Sequence, residues 1–356
     1  MSEPSLQYYT IADLRNWLIY SQPPQGLSDK IIAPQRAFSI MNNPYVKDDD
    51  AIVSVIFEDG EVAAYTAIFP EKLEYPTDWA SKRIWWFTTL ACTPRFEGRG
   101  YGLVVCSFLQ EMHPDEPILD IDGATETVEI MKMMGLTPYS FVSYRFQGKY
   151  IDLSSFKGKL AYKKECLLQT IRSKKRQLLV DVSQACYSLK YPSTISSDLF
   201  AFVKKCGEGD LLIRTVDTFN WIVQYPFMKP APIFNRVECQ LCFSSEIDFY
   251  SFLPVIVYDS QDVIAFYLLR NCPWGLSVKY LYYIPEAEKK VFLSIVEHLI
   301  MLGNPVFETT NSSLAAFINS YHLFSRCIRQ SKSISLPHNC SPLSQNIQGG
   351  DGDMFV

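Results

Sequence analysis

Residues 90–102 read Leu-Ala-Cys-Thr-Pro-Arg-Phe-Glu-Gly-Arg-Gly-Tyr-Gly. An apolar run at residues 84–91 leads into this stretch and predicts a strand that is buried on both faces. A second apolar run at residues 103–109 follows it and predicts a buried helix that ends before Pro114. The glycines therefore form a turn between a strand and a helix N-terminus. Backbone N–H groups converge at such a turn, and the helix macrodipole adds to their attraction for an anion.

The segments around this turn predict a mixed α/β domain. A hairpin is expected before it, because two apolar runs flank the turn signal Glu58-Asp59-Gly60-Glu61. A short strand, a helix closed by Gly135 and a further strand are expected after it. The predicted bounds are 52–57 and 62–69 for the hairpin, 118–122 and 139–150 for the later strands, and 126–134 for the helix. The fold class expected is a mixed, mainly antiparallel central sheet flanked by helices.

The second half of the chain repeats this order of elements in a weaker form. Residues 254–260 resemble residues 54–60, and each segment precedes another predicted strand. Residues 288–302 form a predicted helix closed by Gly303. The counterpart of the glycine turn has no glycine, and its acidic residues at a helix start would repel a phosphate. We therefore expect two tandem domains, of which the second has lost this anion site. The expected ranges are 1–155 for the first domain, 156–195 for a basic helical linker and 196–356 for the degenerate second domain.

Three interpretations of the glycine turn compete on its sequence alone. It could be a flexible turn without a ligand, since several glycines in one turn are common. A dinucleotide site would require Gly-x-Gly-x-x-Gly in a parallel βαβ unit, whereas here the glycines alternate and a hairpin precedes them. A phosphate-binding loop of the Gly-Lys-Ser/Thr type is absent from the stretch.

The stretch resembles the acetyl-coenzyme A motif of the Gcn5-related N-acetyltransferases. That motif is Arg/Gln-x-x-Gly-x-Gly/Ala after a strand that often ends Leu-Ala-Val-x-Pro. Gly100 and Gly102 match the two small positions, but Glu97 stands where the family has arginine or glutamine. An acid at this position disfavours phosphate. The resemblance covers residues 40–150 and extends faintly over residues 200–356.

The resemblance implies an acyltransferase whose cosubstrate is acetyl-coenzyme A or another acyl-coenzyme A. In similar proteins the strand before the turn pairs with the pantetheine arm through its backbone, and the turn holds the pyrophosphate. The implied cofactor-binding residues are Leu90, Ala91, Cys92, Gly98, Arg99, Gly100, Tyr101, Gly102 and Leu103. No metal is expected, because the single CxxC at Cys239 and Cys242 has no histidine near it in sequence.

The candidate catalytic residues are Asp120, Asp122 and Tyr139. The two aspartates end the strand after the turn and are candidates for the general base, although a turn and a helix cap explain them equally well. Many family members protonate the leaving thiolate with a tyrosine four positions before a glycine. The matching position here is Met131, which cannot donate a proton, so Tyr139, Tyr144 or water would have to serve instead. We interpret Cys92 as a strand residue beside the cofactor rather than as a nucleophile.

The acceptor expected is an amine or hydroxyl of a small molecule, with an amino sugar as one hypothesis. An aromatic set in the second half suits a flat acceptor, although ordinary core packing explains each member better: Trp221, Tyr225, Pro226, Phe227, Trp274 and Tyr280. A non-catalytic acyl-coenzyme A sensor and an aminoacyl-tRNA-dependent peptidyltransferase are the alternatives. The net charge of −5 disfavours nucleic acid. The first residues lack a signal-peptide pattern and no apolar run is long enough to span a bilayer, so the cytoplasm is expected. The sequence does not determine the oligomeric state.

Overall fold

The structure is a computed structural model of the chain. It describes residues 3–75, 82–121, 124–147, 157, 159–161, 163–164, 166–168, 187–232, 236, 245–320, 323–337 and 346–351. Asp122, Cys239 and Cys242 lie outside these residues, as do most residues of the predicted basic linker before position 187. The predictions made for those residues therefore stay predictions.

Up to Gln147, the described residues of the first half form six strands and four α-helices. The two long strands before the glycine turn form the predicted hairpin, in which Asp59 and Gly60 adopt φ of +52° and +78°. Positive φ at both central residues suits the tight turns that match strand twist. The elements are β1 (Ser5–Thr10), α1 (Ile11–Leu18), α2 (Pro34–Met41), β2 (Ala51–Glu58), β3 (Glu61–Tyr75), β4 (Arg83–Cys92), α3 (Tyr101–Met112), β5 (Ile118–Ile121), α4 (Thr125–Met133) and β6 (Leu136–Gln147).

The second half repeats the pattern of strands followed by helices. Its longest helix runs over residues 288–302 as predicted and ends at Gly303, whose φ is +60° and whose N–H donates to the Leu299 carbonyl. The elements are β7 (Ser188–Lys190), α5 (Ser197–Cys206), β8 (Ile213–Arg214), α6 (Val216–Gln224), β9 (Lys229–Pro230), β10 (Glu246–Ile247), β11 (Ser251–Asp259), β12 (Asp262–Cys272), β13 (Gly275–Tyr283), α7 (Glu288–Leu302), β14 (Val306–Thr309), α8 (Ser312–Ser320) and β15 (Arg326–Pro337).

One continuous sheet runs through both halves in the order β1-β2-β3-β4-β5-β15-β6-β14-β13-β12-β11-β7. Its neighbouring strands are antiparallel except for β4 with β5 and β13 with β14. The prediction of a mixed, mainly antiparallel sheet flanked by helices is therefore confirmed. The two parallel pairs hold equivalent places in the two halves.

The centre of the sheet is built by an exchange of strands between the halves. β15, from near the end of the chain, inserts between β5 and β6 and pairs with β6 over residues 326–337. β6 in turn pairs with β14, so it also belongs to the sheet of the second half. Each half is thus completed by a strand of the other. Because a buried sheet edge must be paired, neither half would keep its own sheet intact alone.

Aromatic side chains join the two halves above the sheet. Trp221 lies 5.5 Å from Phe69 between ring centroids and donates its indole N–H to the Ser39 carbonyl at 2.9 Å. Phe227 contacts the same Phe69 ring edge-on. Trp221, Phe227 and Tyr280 are all buried, which confirms the core interpretation for these three members of the aromatic set. Among the described residues, no helix has the length and apolar character needed to cross a membrane.

Candidate functional site

The glycine turn connects β4 to α3, as predicted. Residues Pro94–Phe96 form one turn of 3₁₀-helix, after which Gly98 and Gly100 adopt φ of +77° and +80°. Gly100 is the N-cap of α3. A Cβ atom added to Gly98 or Gly100 would meet no atom within 4 Å. The backbone conformation therefore favours glycine at both positions, and the space beside the helix N-terminus is open.

Position 102 favours glycine for a different reason, which is close packing. A Cβ atom there would lie 3.0 Å from Ile130 of α4 and 3.5 Å from the sulfur of Cys92. This glycine lets α3 approach β4 and α4 closely. Its backbone N–H also donates to the Cys92 sulfur, but burial is the larger influence and raises the pKa of the Cys92 thiol. A protonated thiol is a poor nucleophile, which agrees with the interpretation of Cys92 as a strand residue.

The side chains near the turn are bound by acids of the β2–β3 hairpin. Arg99 donates to one carboxylate oxygen of Glu58 at 2.6 Å, and the Tyr101 hydroxyl donates to the other at 2.7 Å. Glu58 is buried at the end of β2. Arg95 pairs with Asp59 at 2.9 Å. Arg99 thus has a carboxylate partner, which any phosphate at the turn would have to share or displace.

The charge around the turn is negative on balance. The hairpin supplies Glu58, Asp59 and Glu61, and the turn itself contains the exposed Glu97. Against these four acids stand Arg95 and Arg99. Attraction for a phosphate must therefore come from the backbone N–H groups and the dipole of α3 rather than from side-chain charge.

A cleft opens where β4 runs past its partner β5. The two strands pair only at Trp85 with Ile118 and at Trp86 with Leu119, whereas β4 continues to Cys92. Residues 90–92 are half-buried, although the preceding residues 84–89 are buried. The other edge of this segment pairs with β3. In the described part of the chain, the edge of residues 90–92 that faces away from β3 pairs with no strand, so an extended ligand can pair with it.

The second half has the equivalent cleft between β13 and β14. These strands pair at Leu276 with Phe307 and at Ser277 with Glu308, and β13 continues to Tyr283. Leu281 follows the first pair by five residues, as Leu90 follows Trp85. Here the backbone groups at the strand edge have hydrogen-bond partners within the chain. The side-chain amide of Gln348 accepts from the Leu281 N–H at 3.2 Å and donates to the Leu281 carbonyl at 3.5 Å.

Residues 346–351, which we call the tail segment, fill this second cleft. Gly350 needs to be a glycine, since a Cβ atom would lie 2.4 Å from the Tyr280 ring, and its carbonyl accepts from the Tyr280 hydroxyl at 2.6 Å. A Cβ atom at Gly349 would lie 2.7 Å from the Val278 carbonyl oxygen. The tail segment thus approaches residues 278–281 of β13, which correspond to residues 87–90 of β4 in the first cleft.

The tail segment carries a carboxyl group into the core. Asp351 is fully buried, and burial raises the pKa of its carboxyl to about 8 despite the nearby Arg214. Burial likewise raises the pKa of Asp210 to about 7, and its carboxylate accepts from the Gln348 amide at 2.9 Å. The surroundings of the tail segment therefore favour the protonated forms of the Asp351 and Asp210 carboxyls.

We expect Asp351→Asn to stabilise the protein at pH 9 but not at pH 4. A raised carboxyl pKa means that the folded state holds the proton more tightly than the unfolded state. The stability that the protonated Asp351 carboxyl contributes is therefore fully present below pH 3.8. That contribution falls as the pH rises and is lost by about pH 8. Urea unfolding at both pH values measures this effect. At pH 9 the free energy of unfolding of Asp351→Asn should exceed that of the wild type by about 1–3 kcal/mol. If the free energies of unfolding of the variant and the wild type differ by the same amount at both pH values, the raised pKa is contradicted.

A polar cavity of about 660 Å³ adjoins the tail segment. It lies between the start of β6, the end of β13 and the N-terminus of α8. Tyr139 of β6 is one of its lining residues, with Asp210 and Gln348. The sequence provided no sign of this cavity, because its walls come from five separated segments.

The structure places Asp120 and Tyr139 on different strands, and Asp122 lies outside the described residues. Asp120 is buried in β5, where its backbone pairs with Ser335 of β15. Its charge contributes to the raised pKa of Cys106 on α3, which places Asp120 near the inner face of that helix. Tyr139 lies beyond β15 on the next strand. Met131 is buried, consistent with a core residue. The assignments of Asp120 and Tyr139 stay predictions.

Comparison with solved structures identifies the fold. No family model matches the chain, and no curated protein matches it in sequence. An N-myristoyltransferase of Saccharomyces cerevisiae with bound myristoyl-CoA aligns with a TM-score of 0.50, covering 98% of this chain and 81% of that chain at 10% identity. The chain therefore has a Gcn5-related N-acetyltransferase-like fold with two domains.

Two further solved structures are similar at lower TM-scores. A GCN5-related N-acetyltransferase from Kribbella flavida aligns at 0.49, covering 94% of this chain and 72% of that chain at 12% identity. A tandem protein of the same class from the clavulanic acid biosynthesis pathway aligns at 0.46, covering 95% of this chain and all of that chain at 10% identity.

Proposed function

We propose that the chain transfers an acyl group from acyl-coenzyme A, held in the cleft of the first half, to a small-molecule acceptor. The observation that carries the proposal is the end of β4, where the strand diverges from β5 and leaves an unpaired edge at residues 90–92. This edge leads directly to the turn of Gly98 and Gly100 at the N-terminus of α3. This arrangement offers backbone groups to an extended arm and N–H groups to a pyrophosphate at adjoining positions. The likeness of the fold to acyl-coenzyme A-dependent transferases supports the same assignment.

The contrast between the two clefts supports the choice of the first half. The strand edge at Leu281 is capped by Gln348, and the helix that follows begins at Glu288 with Glu286 just before it. Acids at a helix N-terminus oppose phosphate binding. An acyl-coenzyme A molecule would have to displace the tail segment to enter the second cleft.

The acyl group and the acceptor belong to the proposal. We infer acetyl transfer to an amine or hydroxyl, with an amino sugar as the acceptor class to be tried first, in the cytoplasm and without a metal. The acceptor amine would attack the thioester carbonyl directly, and a backbone N–H of residues 90–92 would stabilise the oxyanion that forms. Asp120, Asp122 and Tyr139 are proposed for the proton transfers, with water as an intermediary where the side chain is buried.

Binding and turnover test the proposal separately. Calorimetric titration of the full chain with acetyl-, butyryl- and myristoyl-coenzyme A measures affinity and the preferred acyl length. Release of free coenzyme A thiol, followed with a panel of amino sugars and other amines, measures transfer above hydrolysis. Absence of binding by all three thioesters at millimolar concentration would overturn the proposal.

One specific observation favours a second candidate, a protein that binds acyl-coenzyme A without transferring the group. Arg99 is held by Glu58, and Asp120 and Tyr139 lie on strands separated by β15. Tight binding without acceptor-dependent thiol release would support this alternative. For the aminoacyl-tRNA alternative, the first cleft offers no basic groove in the described residues, since acids outnumber arginines around its turn.

We expect Glu97→Arg to tighten acyl-coenzyme A binding by about 3- to 10-fold at low salt. The change removes an acid from the turn and supplies a guanidinium that can reach phosphate, and each effect is worth about 0.3–1 kcal/mol at an exposed helix N-terminus. Glu126→Arg on α4 has the same charge change and is the control. Equal tightening by both variants would mean that net charge alone is responsible, and an unchanged affinity for Glu97→Arg would place the pyrophosphate elsewhere.

A further inference from the structure

The strand ends that border the two clefts, those of β4 and β13, are built alike. Parallel pairing with the neighbouring strand begins at Trp85 in β4 and at Leu276 in β13. Three positions later each strand has a bulge, because its antiparallel partner passes over Thr88 in β4 and Lys279 in β13. In both halves the 3₁₀ turn that follows begins nine positions after the first parallel pair. The second cleft can therefore be compared with the first residue by residue.

The residue directly after the bulge is Thr89 in the first half and Tyr280 in the second. The sulfur of Cys92, three positions after Thr89, lies 3.5 Å from where a Cβ atom of Gly102 on α3 would be. Because side chains alternate between the two faces of a strand, Thr89 projects from the face away from α3. Tyr280 also faces a helix that precedes its strand, since its ring lies 4.8 Å from Phe219 of α6. The two side chains thus hold equivalent positions on the same face of the sheet.

The hydroxyl groups of these two residues differ in their hydrogen bonding. Tyr280 is 1% exposed, and its hydroxyl donates to the Gly350 carbonyl of the tail segment at 2.6 Å. Thr89 is 4% exposed, and within the described residues its hydroxyl has no hydrogen-bond partner. Buried hydroxyls normally have a partner. The first cleft therefore contains a hydroxyl donor whose counterpart in the second cleft binds a carbonyl oxygen.

The tail segment indicates which part of an extended ligand would meet this donor. The side-chain amide of Gln348 pairs with Leu281, and the tail carbonyl that Tyr280 binds lies one residue further from the 3₁₀ turn. In the first cleft, the arm of an acyl-coenzyme A held at the glycine turn would pass Leu90 before it reaches Thr89. The amides of that arm lie nearer its pyrophosphate than the thioester does. The carbonyl that meets Thr89 is therefore that of the thioester.

We propose that the Thr89 hydroxyl donates a hydrogen bond to the thioester carbonyl oxygen and stabilises the oxyanion that forms there, an inference that rests on the proposed function. Attack of the acceptor nitrogen on the carbonyl carbon moves an electron pair to this oxygen. When the carbonyl re-forms, the carbon–sulfur bond breaks and the coenzyme A thiolate leaves. The nitrogen loses one proton and the thiolate gains one, whereas Thr89 keeps its own. Thr89 therefore acts beside the backbone N–H of residues 90–92 as an oxyanion donor and not as a base.

Binding tests this contact without knowledge of the acceptor. Acetyl-coenzyme A and S-ethyl-coenzyme A have arms of the same length, but only the first has a thioester carbonyl. Calorimetric titration of the full chain gives the ratio of the two affinities. Thr89→Val keeps the shape of the side chain and removes its hydroxyl, so the ratio should fall by about 3- to 10-fold while the affinity for S-ethyl-coenzyme A is unchanged. An unchanged ratio in Thr89→Val would overturn the inference.

Turnover and folding provide further readouts. Loss of one oxyanion donor should lower kcat by about 100- to 1,000-fold in Thr89→Val with little change in KM for acetyl-coenzyme A, and Thr89→Ser should restore both kcat and the affinity ratio. Ser245→Ala is the control, because it removes another fully buried hydroxyl that has no partner in the described part of the chain; it should leave kcat and the ratio unchanged. Neither Thr89→Val nor Ser245→Ala loses a hydrogen bond within the protein, so both should resist urea as well as the wild type does.

The same titrations separate this inference from the proposed function. If the wild type binds neither ligand, the proposed function is overturned and the role of Thr89 with it. If the wild type binds both ligands and Thr89→Val keeps the wild-type ratio, only the role of Thr89 is wrong. A fall in the ratio that Thr89→Ser reverses and Ser245→Ala does not reproduce supports the contact.

Discussion

Gly100→Glu is expected to weaken acyl-coenzyme A binding by at least about 100-fold. The new carboxylate would stand at the N-cap of α3, where the pyrophosphate must approach the backbone N–H groups. Two like charges about 4 Å apart repel by roughly 4 kcal/mol at the effective dielectric of a protein surface, and each 1.4 kcal/mol is a factor of ten in affinity. Because an added Cβ meets nothing within 4 Å, the side chain itself has room and packing should survive. Calorimetric titration with acetyl-coenzyme A measures the loss.

Two control variants separate charge from backbone strain. Gly100→Asn places a neutral side chain at the same φ of +80°, a conformation that asparagine tolerates better than most residues, and should retain most of the binding. Gly303→Glu adds the same charge and the same strain at the C-terminus of α7, where φ is +60°, and should leave binding unchanged. If Gly100→Glu folds as Gly303→Glu does and still binds at wild-type affinity, the turn does not hold the pyrophosphate.

The local elements of this fold could be predicted from the sequence because each has its own periodic signal. The helix at Glu288–Leu302 was predicted with its true bounds, since an apolar face and Gly303 mark it. The hairpin and the strand before the glycine turn were placed within a few residues, except that β3 runs on to Tyr75. Periodicity reports burial along one segment, which is why it succeeds for these elements.

Pairings between distant segments left no such signal. The alternation in β6 and β15 is compatible with any neighbour, so the insertion of β15 between β5 and β6 could not be foreseen. The candidate site shows the same limit. The glycines were predicted to form a turn at a helix start. The hydrogen bond from Arg99 to Glu58 could not be predicted, because these residues are 41 positions apart in the sequence. The glycine pair Gly349-Gly350 was the one available hint of the tail segment, because adjacent glycines permit close backbone approach.

Arg214→Met is expected to lower the free energy of unfolding by about 3–5 kcal/mol, the cost typical of breaking a buried ion pair from one side. Arg214 and Glu71 are both buried and lie 3.1 Å apart between β8 and β3. Burial raises the pKa of Glu71 and Arg214 opposes that rise, so the variant leaves a carboxylate that must take up a proton or stay charged without its partner. Urea unfolding at pH 7 measures the change. Lys290→Met breaks the half-exposed pair with Asp259 and should cost under about 1 kcal/mol.

The double variant Glu71→Gln with Arg214→Met shows whether the loss comes from the stranded charge. Glu71 also accepts from the Trp86 indole at 2.6 Å, and a glutamine carbonyl can keep that hydrogen bond. With both charges gone, the unfolding free energy should recover by about 2 kcal/mol or more relative to Arg214→Met, since neutral replacement of a buried pair is often tolerated. β8 belongs to the second half of the chain and β3 to the first, so this pair couples the halves through charge as the exchange of β6 and β15 couples them through the sheet. If the double variant is no more stable than Arg214→Met, the arginine acts through packing against Tyr280, and the coupling between the halves at this point is apolar.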